Sequence, residues 1–522
     1  MSEKRKIARA AGILGSATML SRIMGMVRDM VVSRLFGAGL ATDAFFAAFQ
    51  IPNMLRRFFA EGALTSAFVP TFSATLSQDG EEKARELANT CFTLLTIIMA
   101  AITLAGILFS PLIVGLMFPG FQAVPGKFEL TVLLNRLMFP YIFFISLVAL
   151  CMGILNTVRH FFTPAISTVF LNISMIVAAL CLRGFFEAPI TALAVGVLIG
   201  GCVQLIMQLP VLWSKGFPVT PDFSFKSPEV RRIAVLMLPS IFGVGVYYLN
   251  IAVSAILASF LPQGSVSYLY YAQRLFEFPQ GIFTVSVAQA VLPSMSRQAA
   301  EGDMAGMKET LSFGVRLTLF ITIPAMAGLM ACSTPVFSLI FMGGAFNYET
   351  VANSALALMY YSMGLSFVAL TRVLAPVFYA LKDTKTPVYA AFISFVINFC
   401  VSLALMGPLK HGGLALATTV SAFCNMLLLF WFLRRKLGAF DGSRIMRTAL
   451  KSTAASLPMA TAVWYSCSFV DWSQAGHKLL KGSVLGGSIL CGFILYMVTV
   501  KLLRSEEALD AVALLRRKLK KG

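Results

Sequence analysis

The chain is poor in the residues that catalysis and metal binding usually draw on. Its 522 residues include three histidines (His160, His411 and His477), nine cysteines with no CxxC spacing, and 23 acidic side chains against 42 basic ones. The histidines fall in expected loops, where such residues are ordinarily solvated. The cysteines lie in or beside apolar segments and read as small buried hydrophobes. No catalytic residue, metal site, disulfide or cofactor is therefore expected. The acids Asp222, Glu229 and Asp383 stand isolated, with none of the clustering that a membrane glycosyl or phosphoryl transferase would need. Charged residues make up only 12% of the chain and hydrophobic residues 58%, with a mean hydropathy of +0.81, which excludes a soluble globular protein.

What the chain has in quantity is apolar length. Fourteen segments recur, near 8–36, 41–76, 86–118, 128–157, 163–183, 188–213, 233–260, 265–298, 310–341, 350–380, 387–407, 412–433, 448–470 and 482–503. Each reaches or exceeds the roughly 20 residues that cross a ~30 Å hydrocarbon core. Backbone groups find no water there and must pair within the segment, so an all-α polytopic membrane protein is expected. The basic N-terminus (Met1 to Arg9) shows no small-residue cleavage site and reads as a retained cytoplasmic start. With fourteen crossings, 28 Lys/Arg fall on cytoplasmic stretches and 5 outside (Lys127, Arg183, Lys410, Lys478 and Lys481), with both termini cytoplasmic. The +19 net charge is thus mostly topology, plus attraction to anionic membrane lipids; scattered over eight stretches, it does not suggest a nucleic-acid partner.

The chain also repeats itself at an offset of about 223 residues. Val69-Pro70-Thr71-Phe72-Ser73 matches Leu292-Pro293-Ser294-Met295-Ser296, Pro111-Leu112-Ile113 recurs as Pro335-Val336-Phe337, and Thr163-Pro164 as Thr386-Pro387. Six segments per copy is an even number, so the copies share one orientation, and a parallel repeat places a substrate site between halves. The expected organisation is a six-helix lobe over 1–217, a second over 229–438, and two added helices with a basic cytoplasmic tail over 439–522. The proline-containing stretch Ser214 to Arg232 serves as the linker.

Nine arginines lie inside the apolar segments: Arg22, Arg28, Arg34, Arg56, Arg57, Arg136, Arg274, Arg316 and Arg372. Each costs roughly 2.5–3.5 kcal/mol at the bilayer centre, so those that cannot reach an interface must face protein, water or an anion. On an ideal helix Thr18, Arg22, Gly25, Asp29 and Ser33 fall within an arc of about 80°, with Arg28 flanking it. In the second segment Asp43, Gln50, Arg57 and Glu61 share a face with Arg56 off it; Pro52 disturbs that register, and which of Arg56 and Arg57 points inward stays open. In the eighth, Ser267, Tyr270, Tyr271, Arg274 and Glu277 cluster at helical spacing. Arg34, Arg316 and Arg372 lie nearer segment ends, within snorkelling reach of headgroups, and Arg136 is ambiguous. Asp29, Asp43, Glu61 and Glu277 neutralise four arginines if all pair, for which Asp43 and Glu61 are the best suited. The surplus of forked guanidinium groups suits an anionic, phosphorylated substrate.

Several long motifs closely resemble the MurJ (MviN) family over essentially the whole chain. They are Ser21-Arg22-Ile23-Met24-Gly25-Met26-Val27-Arg28-Asp29, Thr42-Asp43-Ala44-Phe45-Phe46, Pro52-Asn53-Met54-Leu55-Arg56-Arg57-Phe58-Phe59-Ala60-Glu61-Gly62-Ala63, and Tyr270-Tyr271-Ala272-Gln273-Arg274-Leu275-Phe276-Glu277-Phe278-Pro279. The resemblance implies a lipid II flippase of the multidrug/oligosaccharidyl-lipid/polysaccharide exporter superfamily in the bacterial cytoplasmic (inner) membrane. It implies Arg22, Arg28, Arg56, Arg274 and Ser33 at the substrate, and Asp29, Asp43, Arg57, Glu61 and Glu277 as ion-pair or gating residues. It also implies that the two last helices form a groove for the lipid tail. Lipid II, membrane lipids and cell-wall synthesis enzymes are the expected partners of a monomer driven by membrane potential. The coupling ion stays open, since segment 233–260 carries no acid. A flippase for another polyprenyl-diphosphate-linked oligosaccharide is the alternative.

Overall fold

In a computed structural model the described residues, 3–56, 65–281 and 285–507, are almost wholly helical. They pack as two compact units, 1–266 and 267–522. The first contains α1 (Glu3–Phe36), α2 (Leu40–Arg56), α3 (Thr65–Gln78), α4 (Glu81–Leu108), α5 (Ser110–Met117), α6 (Lys127–Met138), α7 (Tyr141–Thr157), α8 (Phe162–Cys181), α9 (Thr191–Ile206), α10 (Leu209–Ser214) and α11 (Pro228–Ser259). With α12 (Ser265–Pro279) the chain enters the second. There follow α13 (Val285–Glu301), α14 (Met304–Ala331), α15 (Ser333–Ile340), α16 (Tyr348–Ser362), α17 (Leu365–Ala380), α18 (Lys385–Leu409), α19 (His411–Leu437), α20 (Gly442–Cys467) and α21 (Lys478–Leu502).

Each of the fourteen expected segments is thus covered by one helix or two consecutive ones, and the chain is an all-α, multi-pass membrane protein. Among the described residues eight spans are long and apolar enough to cross a membrane; α16 and α17 make a further one, bent by 42°. The helix starts repeat with the sequence. α4 begins at Glu81 and α14 at Met304, α5 at Ser110 and α15 at Ser333, α8 at Phe162 and α18 at Lys385, every pair 223 residues apart.

Burial shows which spans meet lipid. Only 17% of the most apolar stretch of α4 is buried, against 67% for the α6–α7 span, so α4 is peripheral and α6–α7 central in the first unit. Leu104, Leu108, Leu112 and Leu116 form an exposed line at helical spacing along α4 and α5, the inverse of a soluble helix. Inside, Phe68 and Phe72 of α3 stack at 5.3 Å and pack with Leu150, Cys151 and Ile154 of α7. The second unit centres on Leu311 and Val315 of α14 with Val373, Leu374 and Phe378 of α17 and Leu433 of α19. Buried hydroxyls mostly bond back to their own helix, as Thr71 does to Ala67 O (2.9 Å) and Thr318 to Gly314 O (2.7 Å), which spares them a partner across the bilayer core.

The connection expected as a linker is laid along α4 by a ladder of polar contacts. Arg85 donates to Gly216 O (2.9 Å), Asn89 to Thr220 Oγ1 (2.7 Å) and Thr90 to Asp222 Oδ2 (2.6 Å), while Asp222 N donates to Thr93 Oγ1 (3.0 Å). A tight approach closes the first unit at the far ends of α5 and α11: Gly120 N bonds Ser259 Oγ (3.0 Å), and a Cβ on Gly120 would run into the Ser259 carbonyl.

The α17–α18 turn is organised by Asp383. Its carboxylate accepts from Lys436 Nζ of α19 (2.7 Å), Thr386 Oγ1 (2.7 Å) and the amides of Lys385 and Thr386 (3.2 and 3.1 Å). The Lys436 hydrogen bond, then those from Thr386, hold the carboxyl well below the usual carboxylate range. A depressed carboxyl stabilises the fold above its unfolded value of about 4, and that stability is lost as pH falls below it. Asp383→Asn is therefore expected to lower the unfolding midpoint of the detergent-purified protein at pH 6–8, with the gap to wild type closing as pH drops below about 4. A gap independent of pH would refute the charged cap.

Candidate functional site

In the first unit α1 lies along α8, and the contact is polar for an apolar pair of helices. Ser21 Oγ meets Thr168 Oγ1 at 2.8 Å, and Asn172 Nδ2 reaches Ser21 O at 3.5 Å. Farther along α1, Arg28 is buried. Its Nε and Nη2 donate to Asp29 Oδ1 (3.0 and 2.6 Å), and Nη1 donates to Asn172 Oδ1 (3.1 Å). Asp29 is only 2% exposed, so this is an ion pair withdrawn from solvent, with the Asn172 amide oxygen taking a further guanidinium proton. Ser33 is also buried and donates to Met30 O (2.9 Å). Arg22, about 9 Å back along the helix, is different. It is exposed and has no hydrogen-bond or ion-pair partner among the described residues. The stripe legible in the sequence is therefore graded, with an open cation at Arg22 and sealed polar groups at Asp29 and Ser33.

A second buried charge pair joins α2 to α6. Lys127 and Asp43 are 2% and 0% exposed, with Nζ at 2.9 Å from Oδ2, and the same oxygen accepts from Gly264 N (2.8 Å). The ammonium also sits 4.1 Å from the centre of the Phe121 ring. One carboxylate thus ties α2, the start of α6 and the turn before α12. Helical spacing in the sequence groups Asp43 with an arginine and leaves Lys127 in an outer loop; the structure buries Lys127 as a partner of Asp43. A lysine directly after a Pro-Gly turn gives no sign of this, because only the packing of α2 on α6 brings the two together. Arg56 is half-buried and donates from Nε and Nη2 to Asn53 Oδ1 (3.2 and 3.1 Å), one turn back on α2. Arg57 and Glu61 lie outside the described residues.

In the second unit Arg274 of α12 is 37% exposed. It meets Glu277 at 3.6 Å, a long, solvent-accessible ion pair, with the Tyr270 ring centre 6.0 Å from its guanidinium carbon. Gln273 reaches the same Glu277 at 3.4 Å. Tyr271, grouped with these by spacing, is fully buried against Phe341 and Phe346 and belongs to the core. Farther along the same helix end, Gln280 accepts from Arg372 Nη2 of α17 (3.2 Å). Arg372 thus holds a neutral partner and keeps its charge. It lies on α17, eight residues before the helix ends at Ala380, beside the end of α12.

Removing the carboxylate of Asp43 while keeping Lys127 strands a buried ammonium. Asp43→Ala is expected to cost roughly 3–5 kcal/mol. Adding Lys127→Met should return a large part of it, read from unfolding midpoints in detergent. An undiminished loss in the double variant would show that the pair is not what makes Asp43 matter.

Comparison with known proteins places these features in a family. The family model described as lipid II flippase MurJ matches residues 32–482. The chain is 37% identical over 508 residues to a probable lipid II flippase MurJ of Vibrio cholerae, covering 96% of each protein. It is 35% identical to the lipid II flippase MurJ of Burkholderia cenocepacia, covering 89% of this chain and 91% of that one. Among solved structures, a lipid II flippase MurJ in an inward closed conformation superposes with a TM-score of 0.77 at 27% identity, over 94% of this chain and 98% of the other. An inward-facing multidrug resistance MATE transporter of the MOP superfamily shares the fold alone, with a TM-score of 0.69 at 14% identity, over 83% and 99%. A match this long, through both copies of the repeat and into the last helix, makes the chain a member of the MurJ lipid II flippase family.

Proposed function

We propose that the chain moves lipid II, the undecaprenyl-diphosphate-linked disaccharide-pentapeptide, from the cytoplasmic to the periplasmic leaflet of the bacterial inner membrane. It does so by alternating access, as a monomeric carrier rather than an enzyme, with both termini cytoplasmic. The observation that supports this beyond family membership is the uneven neutralisation of the membrane arginines. Arg28 is matched by Asp29, whereas among the described residues Arg22 has no partner and Arg372 has an amide oxygen and no acid.

In this reading Arg22 and Arg274 meet the diphosphate first, Arg22 because it has no partner to give up among the described residues and Arg274 because it stands partly exposed. Arg28 joins by exchanging Asp29 for a phosphate oxygen, with Asn172 keeping its guanidinium in place. Ser33 and the Arg56–Asn53 pair then serve as supports for the helices that carry the site. No bond to substrate forms or breaks, so no cofactor is needed. An inside-negative potential assists outward movement of an anionic headgroup by about 2.3 kcal/mol per charge per 100 mV. Membrane lipids and cell-wall synthesis enzymes are the remaining partners of this reading.

Each charge-assisted hydrogen bond lost should cost about 1.5–3 kcal/mol, roughly a tenfold or greater drop in rate. Arg22→Ala and Arg274→Ala are therefore expected to cut translocation of lipid II in proteoliposomes by at least about tenfold at unchanged membrane abundance. Lysine at either position should retain part of the activity, since it keeps the charge and loses the fork. Wild-type rates in both alanine variants would overturn the assignment.

A further inference from the structure

The two helices without counterpart in the repeat, α20 and α21, are held to the second unit at a point where the backbone of α14 is chemically incomplete. Pro324 lies inside α14 and has no N–H, so the carbonyl four residues earlier, Phe320 O, loses its helical donor. In hydrocarbon no water replaces it. Tyr496 of α21 does: its hydroxyl donates to Phe320 O at 2.7 Å, and its ring packs on the Phe320 ring with centroids 5.6 Å apart. Both residues are buried, together with Ala455 and Met459 of α20.

The added pair is tied to the chain on either side of this contact. One turn before Phe320, Arg316 donates to Glu507 (2.8 Å) and Glu506 (3.0 Å) just beyond α21, and Thr448 of α20 donates to the same Glu507 carboxylate (2.8 Å). On the other side, Ser338 of α15 donates to Trp472 O between the two added helices (2.8 Å). The repeat supplies an internal control. At the position 223 residues before Pro324, α4 carries Ala101, and its apolar stretch is 17% buried against 39% for α14. The copy that carries the added pair is the copy whose helix has a carbonyl to offer.

We infer that Tyr496 is a positioning residue whose hydroxyl fills the carbonyl freed by Pro324, locking α20 and α21 onto α14 so that the added pair travels with that helix during transport. This rests on the carrier reading only for its last clause. The test uses the full-length protein in four forms: wild type, Tyr496→Phe, Pro324→Ala and the double variant. Each is measured for unfolding midpoint in detergent and for lipid II translocation in proteoliposomes. Tyr496→Phe should lower Tm by about 2–4 °C in the Pro324 background. That drop should shrink by more than half in the Pro324→Ala background, where the backbone amide restored by the substitution takes the carbonyl. Translocation per folded protein should stay severalfold down in both tyrosine variants, because the tie between helices is gone even where the carbonyl is satisfied. Equal Tm drops in the two backgrounds, or full translocation by Tyr496→Phe, would overturn the inference. A wild-type protein that moves no lipid II would sink the carrier reading, and the Tm coupling would still decide the pairing.

Discussion

Hydrocarbon offers a polar group no hydrogen bond, and this protein is organised by the ways its own atoms make up for that. The threonines of α3 and α14 bond back to carbonyls one turn earlier. The Arg28 guanidinium takes a carboxylate from its chain neighbour and an amide oxygen from α8. Lys127 shares one oxygen of Asp43 with a backbone amide, and the Phe320 carbonyl takes a tyrosine hydroxyl from a helix far along the chain. Those that join distant helices fix the packing, because their loss leaves a buried group with no substitute.

Set against this background, the arginines separate into two kinds. Arg28 and Arg316 are matched by acids, Arg28 at one residue's remove and Arg316 by residues just beyond the last helix. Among the described residues Arg22 has no partner and Arg372 has a neutral one, Gln280. A carrier of an anionic headgroup needs both kinds: matched cations hold helices together, and incompletely matched ones give the substrate a reason to enter a membrane-embedded site.

Most of the helical plan was legible in the residues. Apolar length located the helices, and the recurrence of Pro111 as Pro335 and of Thr163-Pro164 as Thr386-Pro387 foreshadowed helices that begin 223 residues apart. The breaks inside the spans were not legible in the same way. The break before α5 falls at Phe109, and apolar length alone does not show it, although Pro111 in the first turn of α5 is a local signal for a new helix start. At the site, helical spacing gathered Arg22, Asp29 and Ser33 on one side of α1, yet grouped the core residue Tyr271 with Arg274. Spacing records direction around a helix and says nothing of what packs against that direction. Asn172 was the one polar partner with a visible signal, an amide inside an apolar helix, while Lys127 and Gln280 had none.

The residues by themselves determined that this chain crosses a membrane many times, that its two halves repeat one pattern, and that it holds more intramembrane arginine than acid. Those properties follow from apolar length, repeat offset and charge count, which are additive along a chain. Only the tertiary structure decided which cations stay exposed, which carboxylate holds Lys127, and which side chain completes the helix at Pro324. Those outcomes depend on contacts of a few ångströms between residues as far apart as Phe320 and Tyr496, and such distances exist only once the helices have packed.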